Sequence, residues 1–344
     1  MKKRPLCLGI SLMSLALISG CSSAPANKPS TQTPTTVASQ EEIIVPPHSG
    51  YTDSTPLESS AVSMEGESLQ EALTPAQIIL LTPEPSGIHV TSNDYATVDH
   101  SHTEDGYVMV QFTSETTQKL KTQVIGPATT YTYNLAPNEW TTFPLSDGNG
   151  TYTIKVYENI IDKRYALVLA AETEVALTDE FAPFIRPNQY VNYQDAILTM
   201  DTAAQLTQGI DDLLTKVSTI YNYVVTNISY DYEKAATVES GYLPDLDAVL
   251  TAKKGICFDY ASLMTGMLRS QGIPCKLVVG YAGDVYHAWI NVWSQATGWI
   301  DGAVYFDGIS WQRLDPTYAA SMKNHSSAAD FIGNGNNYTS KYIY

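Results

Sequence analysis

Positive charge is what this sequence has least of. Against 36 Asp and Glu it sets only 19 Lys and Arg, a formal charge of −17 over 344 residues. A surface so short of cations releases few counterions from phosphates, which disfavours nucleic acid and anionic membrane surfaces as partners. Cysteine is scarce as well: there are four, and only Cys257 and Cys275 lie beyond the N-terminal region. The chain has no internal repeat, no phosphate-cradling glycine loop, and no H-E-x-x-H or EF-hand pattern, which sets aside solenoids, phosphate-loop enzymes, zincin-type metalloproteases and EF-hand calcium sites. The apolar run from Leu6 to Ile18 is too short to span a bilayer stably.

That run follows Lys2, Lys3 and Arg4, the layout of an export signal. It closes on Ile18-Ser19-Gly20-Cys21, which resembles the bacterial lipobox, where cleavage precedes a cysteine that receives a diacylglycerol. Residues 1–20 therefore read as a lipoprotein signal peptide, Cys21 as the lipidation site, and the protein as exported and lipid-anchored to the outer face of the bacterial cell membrane. The alternative is an ordinary small-residue cleavage site with a chance cysteine. Cleavage removes three basic groups and takes the formal charge from −17 to −20.

Composition then divides the chain. Residues 21–84 are rich in Ser, Thr, Pro, Ala and Glu and bury too little apolar surface to repay ordering, so they read as a flexible tether. Its apolar run Ile78-Ile79-Leu80-Leu81 assigns to neither helix nor strand. Across 85–177 apolar residues alternate, as at Val108, Val110 and Phe112 and at Tyr152, Ile154 and Val156. Turn residues at Asp105-Gly106 and Asp147-Gly148-Asn149-Gly150 separate such runs, which predicts a small antiparallel β-sandwich. It serves either as a spacer or as a substrate- or wall-binding module. Residues 178–344 open on a helical stripe of Ile210, Leu213, Leu214, Val217, Ile220, Tyr221 and Val224.

Chemistry concentrates in this last part. Cys257 opens a predicted helix with Ala261, Met264 and Leu268 on its buried side, ending near Gln271-Gly272. A sulfur at a helix N-terminus meets free N–H groups and the positive end of the macrodipole, which favour thiolate; a buried cysteine acting as a small hydrophobe is the alternative. A helix of about fourteen residues separates its ends by roughly 20 Å, whereas a disulfide needs Cα atoms within about 7 Å. Cys275, in the apolar strand that follows, is therefore core rather than a partner for Cys257. His287 leads an alternating strand with Ala288, Ile290 and Val292 on one face and His287, Trp289, Asn291 and Trp293 on the other. Imidazole can take a thiol proton and return it to a leaving amine near neutral pH. The only other histidine of this region, His325, sits in a polar tail. Among Asp301, Asp307 and Asp315, the last closes a strand-like run before Pro316, while the others precede glycines and look like turn formers. Asp315 is the better third member of a triad.

These segments are Gly255-Ile256-Cys257-Phe258-Asp259-Tyr260-Ala261, Ser270-Gln271-Gly272-Ile273-Pro274, Val279-Gly280-Tyr281, His287-Ala288-Trp289 and Trp311 to Thr317. In order and spacing they resemble the bacterial transglutaminase-like core of the papain-type cysteine enzymes. The resemblance covers roughly residues 213–318. It implies an α+β fold, a catalytic helix on an antiparallel sheet, and Cys257, His287 and Asp315 as the triad. The long turn between Trp293 and Trp311 departs from the compact family pattern. Animal members use an upstream tryptophan as oxyanion donor; here the upstream aromatics are Tyr230 and Tyr232, candidates for that role or for the core.

The expected reaction is acyl transfer on protein or cell-wall peptide amides through a thioester, with no cofactor and no metal. The alternatives are a cysteine peptidase with the same triad, a non-catalytic surface-binding protein, and a zinc site built from Cys257, His287 and Asp315. The export reading carries its own check: Cys21→Ala abolishes incorporation of radiolabelled lipid, and incorporation that survives the change removes the lipoprotein assignment.

Overall fold

The computed structural model describes residues 76–295, 298–300, 317 and 337–344, with the backbone of strands at 35–36, 304–306 and 311–313. The β-rich part holds nine strands: β1 (Thr35–Thr36), β2 (Val90–Ser92), β3 (Ala96–Asp99), β4 (Tyr107–Phe112), β5 (Leu120–Ile125), β6 (Thr130–Leu135), β7 (Thr141–Pro144), β8 (Gly150–Ile161) and β9 (Arg164–Val175). They form two antiparallel sheets, β1-β9-β8-β5-β6 and β2-β3-β4-β7. In β8 the alternation holds: Tyr152, Ile154 and Val156 are buried, opposite Thr173, Ala171 and Leu169 of β9. In β4 it does not, because Tyr107 and Met109 are buried along with Val108, Val110 and Phe112. The outer face there is covered: the Tyr107 ring stacks on His102 at 5.2 Å and the Arg186 guanidinium lies 5.7 Å from it.

The run Ile78-Ile79-Leu80-Leu81 joins no helix or strand. It lies along the end of a later helix, with the Ile79 N–H donating to the Ser270 carbonyl at 2.8 Å.

The second part begins with α1 (Ile197–Thr207) and α2 (Leu213–Asn227). The Asp212 carboxylate caps α2 by accepting the Thr215 N–H at 2.8 Å, an arrangement worth about 1 kcal/mol. Of the stripe expected from the sequence, α2 buries Val217, Ile220, Tyr221 and Val224, while Leu213 and Leu214 are partly buried and Ile210 lies before the helix. Then follow β10 (Ser229–Tyr230), α3 (Tyr232–Thr237), α4 (Leu246–Ala252), β11 (Lys254–Gly255) and α5 (Cys257–Arg269). After α5 come β12 (Cys275–Ala282), β13 (Val285–Ser294), β14 (Gly298–Ile300), β15 (Val304–Phe306), β16 (Trp311–Arg313) and β17 (Tyr338–Ile343). β14, β13, β12 and β17 make an antiparallel sheet in that order; β10 and β11 pair in parallel, and β15 pairs with β16.

α5 is the centre of this part. It packs against α1, α2, α4, β12 and β13, and all thirteen of its residues are buried. The expected one-sided stripe of Ala261, Met264 and Leu268 is thus only part of its buried surface, since helices cover the sides that the sheet leaves open. Past its end Gly272 takes φ +72°, the left-handed geometry expected there.

Arg269, in the last turn of α5, is wholly buried. Its guanidinium donates to three carbonyls: Arg186 at 2.7 Å, Cys275 at 2.7 and 3.0 Å, and Tyr344 at 2.9 Å. Burial pulls its pKa down to about 10, so it is still a cation at neutral pH. An aromatic stack ties the two parts together. Tyr344 lies at 5.7 to 5.8 Å from Tyr131 and Tyr133 of β6 and 4.6 Å from Tyr190, whose ring meets Phe258 of α5 at 5.4 Å. Strands and helices share one continuous apolar core.

Replacing Arg269 with Met strips the Arg186 and Cys275 carbonyls of this donor, while the Leu277 N–H still donates to Tyr344 at 2.9 Å, so we expect a loss of about 3 kcal/mol in urea unfolding; a loss under about 1 kcal/mol would show that the carbonyls find other partners.

Candidate active site

The sequence near Cys257 folds as it does because of one carboxylate. Asp259, wholly buried, is the third residue of α5, and its Oδ2 accepts the Ile256 N–H at 2.8 Å, the reach-back half of a capping box. The same oxygen accepts from Lys234 Nζ at 2.7 Å, and Oδ1 accepts from the Tyr242 hydroxyl at 2.6 Å. Gly255 leaves room for this turn: a Cβ there would lie 2.7 Å from the Asp259 Cβ and 3.0 Å from Oδ2. Gly255 pairs with Tyr230 across β10 and β11, and the Asp231 N–H donates to the Gly255 carbonyl at 2.9 Å.

This framework sets Cys257 as the first residue of α5, where the exposed end of the helix dipole favours an anion. Cys257 is only 2% exposed, so nothing the size of a peptide reaches the sulfur unless its cover moves. Burial, and next the nearby Cys257 group, push the Tyr230 phenol well above its ordinary pKa, which keeps it a neutral hydroxyl. Tyr232 packs edge-on against Tyr230 at 4.9 Å between ring centroids but is 58% exposed. Of the two candidates for an oxyanion donor, Tyr230 is the partly buried one and Tyr232 the exposed one.

His287 is the third residue of β13 rather than its first, because Val285 and Tyr286 already pair with Ala282 and Tyr281 of β12. It is buried, and its ring lies nearly parallel to that of Trp289 at 6.3 Å. α5 packs on the strand that carries it. Both faces of β13 are covered along most of its length, so the two faces anticipated from alternation do not separate into core and solvent. Cys275 is the buried free thiol expected of it, its sulfur 3.6 Å from Thr265 Oγ1 and its pKa pushed up to about 12 by burial. Cys257 is free as well.

Asp315 lies outside the described residues, two positions past the end of β16, as do Asp301, Asp307, His325 and Cys21. Two cavities lie among the described residues. One of about 40 Å³ is lined by Tyr190, Tyr242, Phe258, Val279, Tyr286 and Tyr344, among others. The other, of about 300 Å³, is walled by Asp179, Glu180, Lys276 and Trp299 among others, with Lys276 Nζ 3.8 Å from the centre of the Trp299 ring. Neither is lined by Cys257 or His287. Among the described residues no cluster of three His, Cys, Asp or Glu is placed to hold a metal ion, and no helix is long and apolar enough to cross a membrane.

Residues 200–316, which include Cys257, His287 and Asp315, match the model of the transglutaminase-like superfamily. The chain contains a transglutaminase-like domain. Over 146 residues the chain is 28% identical to the uncharacterized protein YebA of Bacillus subtilis strain 168, an alignment covering 39% of this chain and 19% of that one. Over 86 residues it is 29% identical to the protein-glutamine gamma-glutamyltransferase of Pseudomonas aeruginosa, covering 21% of this chain and 11% of the other. The chain spans less than a fifth of the length of the curated relatives it matches. Among solved structures, the periplasmic domain of TgpA from Pseudomonas aeruginosa bound to ethylmercury is 17% identical, with a TM-score of 0.29, over 72% of this chain and 87% of that one.

The two thiols of the transglutaminase-like domain differ in a measurable way. At pH 8 a thiol with its pKa near 12 is ionised in only about one molecule in 10⁴, so iodoacetamide applied to the native protein labels Cys257 before Cys275. Equal rates at the two positions would mean that Cys257 has no special reactivity.

Proposed function

We propose that this domain catalyses cysteine-dependent acyl transfer on the carboxamides of proteins or cell-wall peptides, outside the cytoplasmic membrane to which the lipid on Cys21 ties it. The observation that carries the reading is an unpaired cysteine at the first position of a fully buried helix, packed on the strand that bears His287, within the segment matched to the transglutaminase-like superfamily.

In this reading the Cys257 thiolate attacks the carboxamide carbon, forming a C–S bond and an oxyanion. The Cys257 backbone N–H and the Tyr230 hydroxyl are the donors for that oxyanion, since preorganised donors stabilise charge where it develops. When the oxyanion collapses, the C–N bond breaks, and the imidazolium of His287 gives its proton to departing ammonia. Asp315 holds the imidazole in the required tautomer and stabilises its cation. A primary amine then attacks the thioester, passes a proton to His287, and releases the thiolate with a new amide bond. Water in place of the amine gives deamidation, so the choice of product rests on what the covered site admits. No cofactor enters this scheme.

Incubating the full chain with a glutamine peptide and a labelled primary amine should yield labelled peptide and free ammonia. Cys257→Ala and His287→Ala should each lower that yield by about 10³-fold or more. Ammonia without labelled peptide would make the enzyme a deamidase, cleavage of the peptide backbone would make it a peptidase, and no Cys257-dependent product would remove the enzymatic reading.

A further inference from the structure

We propose that Lys234 and Asp259, with Tyr242, form a charge-balanced positioning unit that fixes the first turn of α5 and sets the electrostatic environment of Cys257. This rests on the reading of Cys257 as the nucleophile.

Asp259 stands between two opposing electrostatic demands. An acidic residue in the first turn of a helix satisfies an otherwise unpaired N–H and suits the macrodipole. Two positions from a nucleophilic thiol, however, its negative charge opposes formation of the thiolate. Asp259 is wholly buried, so water does little to screen it. Lys234 resolves the conflict: its ammonium sits 2.7 Å from Asp259 Oδ2 and 2.6 Å from the Tyr242 oxygen, and is itself 27% exposed. Burial, and next the hydrogen bond to Asp259, hold the Tyr242 phenol well above its ordinary pKa, so it stays neutral and donates to Oδ1. The carboxylate thus keeps its capping bond to Ile256 while its charge is cancelled from outside the helix.

Among the described residues, the other charged and titratable groups around this unit are Tyr230, Asp231 and Lys254 of the β10–β11 pairing, Tyr232 and Glu233 on α3, Asp245 before α4, Tyr260 on α5 itself, and Tyr286 and His287 on β13. Asp231 and Lys254 close their own ion pair at 3.1 Å. Lys234 is, among the described residues, the cation in direct contact with Asp259. Its placement also explains why α3, a helix of only six residues, is held down by its own cap: the Asp231 carboxylate accepts the Lys234 N–H at 2.9 Å.

The test measures the rate of iodoacetamide alkylation at Cys257 against pH in the full chain, read by mass spectrometry. Lys234→Gln leaves Asp259 uncompensated and should move the profile upward by about one pH unit. Asp259→Asn leaves Lys234 uncompensated and should move it downward. The double variant should return toward the wild-type profile, and Lys234→Arg, which keeps the charge, should restore it. A merely structural role would slow or speed both single variants alike without opposite displacements, and that result overturns the proposal. If Asp259→Asn fails to fold, Lys234→Gln decides alone, because Lys234 is partly exposed and its profile either rises or does not. Alkylation needs no turnover, so a protein that shows the opposite displacements but forms no amide or acid product would refute the proposed function and leave this inference standing.

Discussion

The structure depends on the complete burial of α5. A helix enclosed by three other helices and two strands has no solvent-facing side on which to place polar groups, so its charged ones need partners inside the protein, while the buried Ser262 hydroxyl has none among the described residues. Asp259 finds Ile256, Lys234 and Tyr242 at the first turn, and Arg269 finds three carbonyls at the last. These two charged residues anchor the helix at both ends. Between them apolar packing fixes its rotation, and that rotation determines where Cys257 lies.

The β-rich part takes part in the same packing. Tyr131 and Tyr133 of β6 meet Tyr344, which meets Tyr190, which meets Phe258, the residue after Cys257. Offset and edge-to-face contacts between such rings add to the area they bury. A hydrogen bond from Gln189 Nε2 to the Asn134 carbonyl at 2.8 Å joins the same two parts. Three successive aromatic contacts therefore connect β6 to the helix that carries Cys257. The acidic composition of the chain does not show in the buried centre, where the charged side chains are paired or solvated by carbonyls.

How much could be read in advance differs from residue to residue. Cys257 at a helix start, Cys275 as buried core and the stripe of α2 follow from spacing alone, because a helix repeats every 3.6 residues whatever surrounds it. The turns before β4 and before β8 follow from glycine beside aspartate for a similarly local reason. Burial of both faces of β4 and β13 does not follow, since alternation specifies which side chains share a face but not what later packs against the other. Lys234 and Tyr242 lie 25 and 17 positions from Asp259. Each looks like an ordinary surface residue in the linear chain, and only the placement of α3 and the loop after it brings them to one carboxylate.

By itself, then, the order of residues determined many of the element types, the position of the cysteine on its helix, and the likeness of residues 200–316 to the transglutaminase-like superfamily, since these rest on local geometry and on motifs readable along a line. Tertiary structure alone decided that the thiol is covered, that Tyr230 is partly buried while Tyr232 is exposed, and that a lysine pairs with the acid two positions beyond it. Those facts concern which distant surfaces exclude water from one another, and electrostatic strength in a protein depends on that exclusion more than on separation in sequence.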